Sequence, residues 1–221
     1  MKTIPSLCVD NFYSDPDKVR EFALSLDYLK DDKGRWPGVR SRELFSVDRE
    51  FHELFSKKVF SLFYDFEKTY LTWSIRTMFQ IIHPYDTDPF DPKNTGWIHW
   101  DEGSVFAGII YLNKEFSYSN GTSLYKLIDE TKLDMGDTKE EFYLYGNDKN
   151  YNEKILEHNS AFVETVRYCN VYNRLICFDT SEAHGANNFF NEKEPRLTQV
   201  FFVDEFTSSS ESAILRHQQY L

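Results

Sequence analysis

Positive charge is scarce in this chain: 25 Lys and Arg stand against 36 Asp and Glu, a net charge of −11. Phosphate contacts need clustered cations, and no block of five or six like charges occurs, so nucleic acid is not an expected partner. An acidic surface instead keeps a protein dispersed. Long apolar runs are missing as well. Without a stretch of ~18 apolar residues no membrane-spanning helix is expected, and no membrane partner. The opening MKTIPSLCVDNFYSDPDK lacks the apolar stretch of a secretory signal. Cysteine is sparse: Cys8, Cys169 and Cys177 are odd in number and show no CxxC or paired spacing. They are expected to be reduced, buried thiols of a cytoplasmic protein. Aromatic side chains, by contrast, are plentiful at 17%, within 41% hydrophobic residues overall, which excludes intrinsic disorder. A chain of 221 residues can bury roughly 70% of its unfolded surface, so a single domain without disulfides is expected.

Helical periodicity comes first along the chain. Val19, Phe22, Ala23 and Leu26 recur at helical spacing behind Asp15-Pro16, which suit an N-cap and a first helical position. Phe51, Leu54, Phe55, Val59, Leu62, Phe63 and Phe66 mark a second amphipathic helix. Residues 31–42 between them are turn-rich and read as a loop. From Tyr70 the pattern turns β-like: YLTWSIRTMFQIIH, WIHWD, SVFAGIIYLN, GTSLYKL, RYCNVY, RLICFD and RLTQVFFVDEF all read as strands. The acidic stretch 129–167 reads as a surface insertion, and SSSESAILRHQQYL as a tail with a final helix. The expected layout is one domain: helical support over 1–69, a sandwich or jelly-roll core over 70–206 and a tail over 207–221. An α/β fold would need strands alternating with helices, and that alternation is absent between Tyr70 and Leu124.

Of six histidines, His99 alone is followed two residues later by a carboxylate, Asp101. On a strand such residues share a face. Trp97 and Trp100 flank them, and a carboxylate in an aromatic setting needs a partner, for which a divalent metal would serve. His184, after the strand RLICFD in the turn-like SEAHGANN, supplies a third donor, with Gly185 allowing close backbone approach. Two imidazoles and one carboxylate match the facial triad of non-haem Fe(II) oxygenases. Arg196 and Thr198 lie one i, i+2 step apart in the last strand; an Arg fork beside a metal site calls for an anion such as a dicarboxylate cosubstrate.

This order of HxD, distant His, then Arg with a hydroxyl residue two positions on resembles the Fe(II)/2-oxoglutarate-dependent dioxygenases. GIIYLN followed by GTSLY, and the opening DNFYSDPDKVREFAL, resemble the prolyl-4-hydroxylase-like branch. The resemblance implies a double-stranded β-helix, mainly β with flanking helices, preceded by N-terminal α-helices. It implies iron ligation by His99, Asp101 and His184, 2-oxoglutarate held by Arg196, Thr198 and Tyr111, and ascorbate in support. Prolyl hydroxylases often carry Lys where Arg196 stands. The implied reaction uses O2 to hydroxylate an unactivated C–H bond of a peptidyl side chain or a small metabolite, releasing succinate and CO2. Asp101 favours hydroxylation over halogenation, because halogenases of this kind have Ala or Gly there.

Other readings stand beside it: a non-catalytic jelly-roll module that binds a metal or ligand, and a zinc hydrolase, which would lack an HExxH-type base and leave Arg196 without a task. Gln80 and His83 read as structural. His52, His158 and His217 read as surface residues. The Trp36-Pro37-Gly38 loop with Arg40 and Arg42 reads as a solvated loop rather than a lid.

Overall fold

The computed structural model of the protein describes residues 4–146 and 150–212. Strand β1 (Leu7–Val9) precedes helix α1 (Pro16–Leu24), whose N-cap Asp15 accepts the Lys18 N–H and whose Pro16 occupies the first turn. The sequence 28–41, read as loop in its larger part, forms a short hairpin of β2 (Tyr28–Lys30) and β3 (Val39–Ser41). Helix α2 (Leu44–Val47) leads into α3 (Arg49–Ser61). Phe55, Val59 and Phe60 of α3 are buried, whereas Leu54 is 60% exposed and Phe66 lies beyond the helix. Then come β4 (Leu71–Ile82), β5 (Phe106–Tyr111) and β6 (Ser117–Leu127). Helices α4 (Thr138–Tyr145) and α5 (Tyr151–Asn159) follow, and β7 (Phe162–Asn170), β8 (Leu175–Asp179), β9 (Ala183–Ala186) and β10 (Arg196–Ser208) complete the described chain.

Two antiparallel sheets result. The larger has the order β1-β8-β5-β10-β4-β3-β2; the smaller is β7-β6-β9, extended by an isolated bridge between His99 and His184. β10 lies at the centre of the large sheet, paired with β4 on one side and β5 on the other. Its side chains alternate between two destinations. Leu197, Phe201 and Val203 pack into the main core with Phe55, Val59 and Phe60 of α3 and with Ala23 of α1. Arg196, Val200 and Phe202 point the other way, into a cavity between the sheets. The N-terminal helices thus cover one face of the large sheet, and the small sheet closes over the other. This is the double-stranded β-helix with N-terminal helices that the sequence leads one to expect.

Several local expectations change. WIHWD is not a strand: only His99 makes a bridge, with its N–H and carbonyl exchanged with those of His184 at 2.9 Å each. His184 sits on a strand, β9, not in a turn. Strand β7 begins at Phe162; it is a largely exposed edge whose Glu164 and Arg167 hide its character in a polar sequence. Cys177 is buried, but Cys169 is half-buried and Cys8 exposed. His52 and His158 are buried, not on the surface: each sits on the inward face of its helix and bonds a strand or loop carbonyl through Nε2, Ile75 at 3.0 Å and Ile98 at 2.8 Å. The C-terminal helix and His217 lie outside the described residues. Among the described residues no helix is long and apolar enough to cross a membrane.

Candidate metal and anion site

His99, Asp101 and His184 converge although 85 residues separate the first from the last. One potential donor atom from each lies within 4.8 Å of the others. Asp101 Oδ2 is 3.3 Å from His184 Nε2, and Oδ1 is 3.7 Å from His99 Nε2. The bridge between residues 99 and 184 fixes the two histidine backbones side by side, and the rings follow at 4.6 Å between centroids.

The tautomers are set by the main chain. His99 Nδ1 lies 2.8 Å from the Trp97 carbonyl and His184 Nδ1 3.1 Å from the Glu182 carbonyl. A carbonyl only accepts, so both Nδ1 atoms donate to the main chain and both Nε2 atoms are turned toward Asp101. The His99 side chain keeps 40% of its surface open to the cavity, yet protein surrounds it. This desolvation, with the neighbouring His184, pushes it down to about 4. Burial pushes the Asp101 carboxyl up, but the His184 hydrogen bond and the charges of His184, His99 and Arg40 prevail and hold it at about 2. Two neutral-capable nitrogens and an ionised oxygen are a donor set that suits Fe(II). Cys177 belongs to the main core instead, so no thiolate competes in the site.

Arg196 is buried at 3% exposure and forms no ion pair among the described residues. Its Nε donates to the Asn120 carbonyl and its Nη2 to Thr122 Oγ1, each at 3.3 Å, and its guanidinium lies 5.6 Å from the Tyr111 ring centroid. Burial pushes it down, and Tyr111 opposes that. Beneath it, Thr198 Oγ1 and Tyr111 Oη are buried without a hydrogen-bond partner. Thr198 and Tyr111 face each other across β10 and β5. A sealed cation beside two unsatisfied hydroxyls is costly unless an anion occupies the place. A carboxylate of 2-oxoglutarate has the charge and the acceptor atoms to satisfy all three.

The cavity of about 440 Å³ joins the two parts: Arg196 and Thr122 line one end, His99, Asp101 and His184 another. Gln80 lines it too, whereas His83 is exposed and stays outside. Phe106 belongs to the main core on the opposite face, and Ala107, Ile109, Phe178 and Phe202 form the apolar wall of the cavity. Trp36, Pro37 and Arg40 reach the cavity, so the loop read as solvated is part of its wall; Arg42 is exposed and is not. Its signal in the sequence was a tryptophan set among arginines in an otherwise acidic chain. Lys139 and Tyr143 of α4 also line the cavity, which no sequence pattern announced. Gly185 has no special role: an added Cβ would meet Ile98 only at 3.4 Å, ordinary contact. The close approach belongs to Gly96, whose Cβ would lie 2.4 Å from the Ala186 carbonyl oxygen.

A model of the family of unknown function DUF6445 matches residues 2–188. No curated protein matches the chain. Among solved structures, an oxidoreductase of the 2OG-Fe(II) oxygenase family from Burkholderia pseudomallei superposes with a TM-score of 0.51 at 8% identity, covering 90% of this chain and 84% of that one. A prolyl hydroxylase from Trichoplax adhaerens, in complex with a hypoxia inducible factor peptide fragment, gives 0.51 at 12% identity over 90% and 82%. HygX from Streptomyces hygroscopicus, with nickel and 2-oxoglutarate bound, gives 0.50 at 11% over 90% and 83%. The feature shared with these three structures is the fold.

Proposed function

The chain belongs to the DUF6445 family, and we propose that it is an Fe(II)- and 2-oxoglutarate-dependent oxygenase that hydroxylates an unactivated C–H bond of a peptidyl side chain or small metabolite. The observation that carries this reading is the pairing of two features in one cavity. A cluster of two imidazoles and one carboxylate shares it with a buried guanidinium that has no carboxylate of its own. A metal-binding module would need the first feature alone. The fold similarity to the Trichoplax prolyl hydroxylase and the GIIYLN…GTSLY segment support a prolyl-4-hydroxylase-like relationship.

In this mechanism His99, Asp101 and His184 would hold the metal through Nε2, an Oδ and Nε2. Arg196 would clamp the far carboxylate of 2-oxoglutarate, with the Thr198 and Tyr111 hydroxyls as further donors to it. Bound iron and 2-oxoglutarate supply the oxidising power from O2, with succinate and CO2 as co-products. The chain's own work is positional. The Trp97 and Glu182 carbonyls orient the two imidazoles, and a metal held by only three protein donors would keep coordination capacity for cosubstrate and O2. Phe178, whose ring lies 4.5 Å from that of His184, together with Phe202 and Ile109, excludes water. Ascorbate is expected to sustain repeated turnover by keeping iron reduced.

The test is succinate release from 2-oxoglutarate in air with Fe(II) and ascorbate. Succinate that requires both iron and O2 is the expected result; an output equal to that without iron would contradict the reading.

A further inference from the structure

Five basic side chains line the cavity of this acidic protein: Arg35, Arg40, Arg76, Lys139 and Arg196. Three are neutralised locally. Arg35 pairs with Asp31 at 2.7 Å, Arg76 with Asp204 at 2.7 Å and Lys139 with Glu140 at 3.1 Å. Arg196 has its task in the cosubstrate reading. Arg40 is left over, with no ion pair among the described residues.

Its guanidinium packs 4.4 Å from the Trp36 ring centroid and 5.6 Å from that of Phe202. Its Nε is sealed from solvent without a hydrogen-bond partner, and its Nη1 meets only the Met78 sulfur, a weak acceptor, at 4.0 Å. The acidic groups it feels are already committed: Asp31 to Arg35, Asp101 to the two imidazoles. A metal at Asp101 would cancel that remaining negative charge.

Register places Arg40 on the cavity-facing side of the large sheet. It lies opposite Gln80 on β4, Gln80 opposite Thr198 on β10, and Thr198 opposite Tyr111 on β5. Opposed residues of an antiparallel ladder share a face, so the four form one row. At ~4.8 Å per strand, Arg40 stands roughly 10 Å from Thr198, far enough to serve a second molecule. Gln80 Nε2 donates to the Pro37 carbonyl at 2.8 Å and pins the loop that carries Trp36 to this wall.

We propose that Arg40, backed by Trp36 and Phe202, determines specificity by holding an anionic group of the substrate, a carboxylate or a phosphate, two strands away from the cosubstrate clamp. Stacking occupies the faces of the guanidinium and leaves its N–H edge for the anion, while the rings receive a flat or apolar substrate body. The inference rests on the oxygenase reading in calling the bound molecule a substrate; the anion preference itself does not depend on it.

Calorimetry tests it on the full chain loaded with Mn(II) and 2-oxoglutarate, so that the Arg196 end is filled. The probes are benzoate, phenyl phosphate and the neutral benzamide. At least one of the two anions is expected to bind tenfold or more tighter than benzamide, and which one does so distinguishes carboxylate from phosphate. Arg40→Gln is expected to erase that preference. A preference that survives in Arg40→Gln, benzamide binding as tightly as both anions, or no probe binding at all would each overturn the inference. Should Arg40→Gln not fold, the wild-type comparison decides by itself. Binding of 2-oxoglutarate, titrated beforehand without probes, reports separately on the oxygenase reading: its failure together with an Arg40-dependent anion preference would sink that reading and leave this inference standing.

Discussion

Asn159 grips both Ile98 and Gly96 from the end of α5: its Oδ1 accepts the Ile98 N–H at 3.1 Å while its Nδ2 donates to the Gly96 carbonyl at 3.0 Å. His158 adds a bond from Nε2 to the Ile98 carbonyl. The segment immediately before His99 is therefore held by the two-helix insertion and not by a regular strand. The insertion, acidic and featureless as sequence, thus shares with the His99–His184 bridge the placing of one proposed metal ligand.

Asn159→Ala is accordingly expected to leave the Ile98 N–H and Gly96 carbonyl unsatisfied, costing about 1–3 kcal/mol of stability. It is also expected to weaken metal binding by about 10–100-fold, as loss of an orienting shell does. Chemical denaturation and a metal titration measure the two effects. Unchanged metal affinity would detach α5 from the site.

Arg196 yields an opposed pair of effects. Arg196→Met removes a buried cation that lacks an anion, so the cosubstrate-free protein is expected to melt no lower than wild type, or higher. The same substitution is expected to weaken 2-oxoglutarate binding well over tenfold, since a buried charge-assisted pair is worth about 2–5 kcal/mol. In thermal melts with Mn(II) present throughout, added 2-oxoglutarate should raise the wild-type midpoint and leave Arg196→Met where Mn(II) alone puts it. An equal rise in both would reassign Arg196.

Acid should act on stability through Asp204, among other carboxylates. Its hydrogen bond from Arg76 holds it below the ordinary carboxylate range despite partial burial. A folded value below the unfolded value of about 3.9 means that the pair stabilises the protein above that pH and loses this contribution as pH falls through the folded value. Asp204→Asn is therefore expected to melt lower than wild type near neutrality, the two curves converging as pH falls through the folded value. A constant gap down to acid would show that the pair's charge is immaterial.

Much of this was legible in the sequence because its signals are periodic or local. The 3.6-residue recurrence at Val19, Ala23 and at Phe55, Val59 marked helices whose buried faces the structure confirms. The β-branched and aromatic runs marked β4, β5, β8 and β10. The HxD pair, His184 and Arg196 stood out because such residues are costly inside a fold without a task. What escaped depends on contacts distant in the chain. His52 and His158 look polar until their helices choose an inward face and a carbonyl receives Nε2. Strand β7 is an exposed edge, so no alternation of buried residues announces it. Trp36 and Arg40 look like an ordinary loop until β3 pairs with β4 and turns them into the cavity wall.

The central claim is that residues 99, 101 and 184 together bind one metal ion. Crystals soaked in Mn(II) and measured at an anomalous wavelength test it directly. A single strong peak at bonding distance from His99 Nε2, an Asp101 carboxylate oxygen and His184 Nε2 is the predicted result, lost in Asp101→Ala. Density for manganese elsewhere only, or a peak at the three residues that persists unchanged in Asp101→Ala, would contradict it.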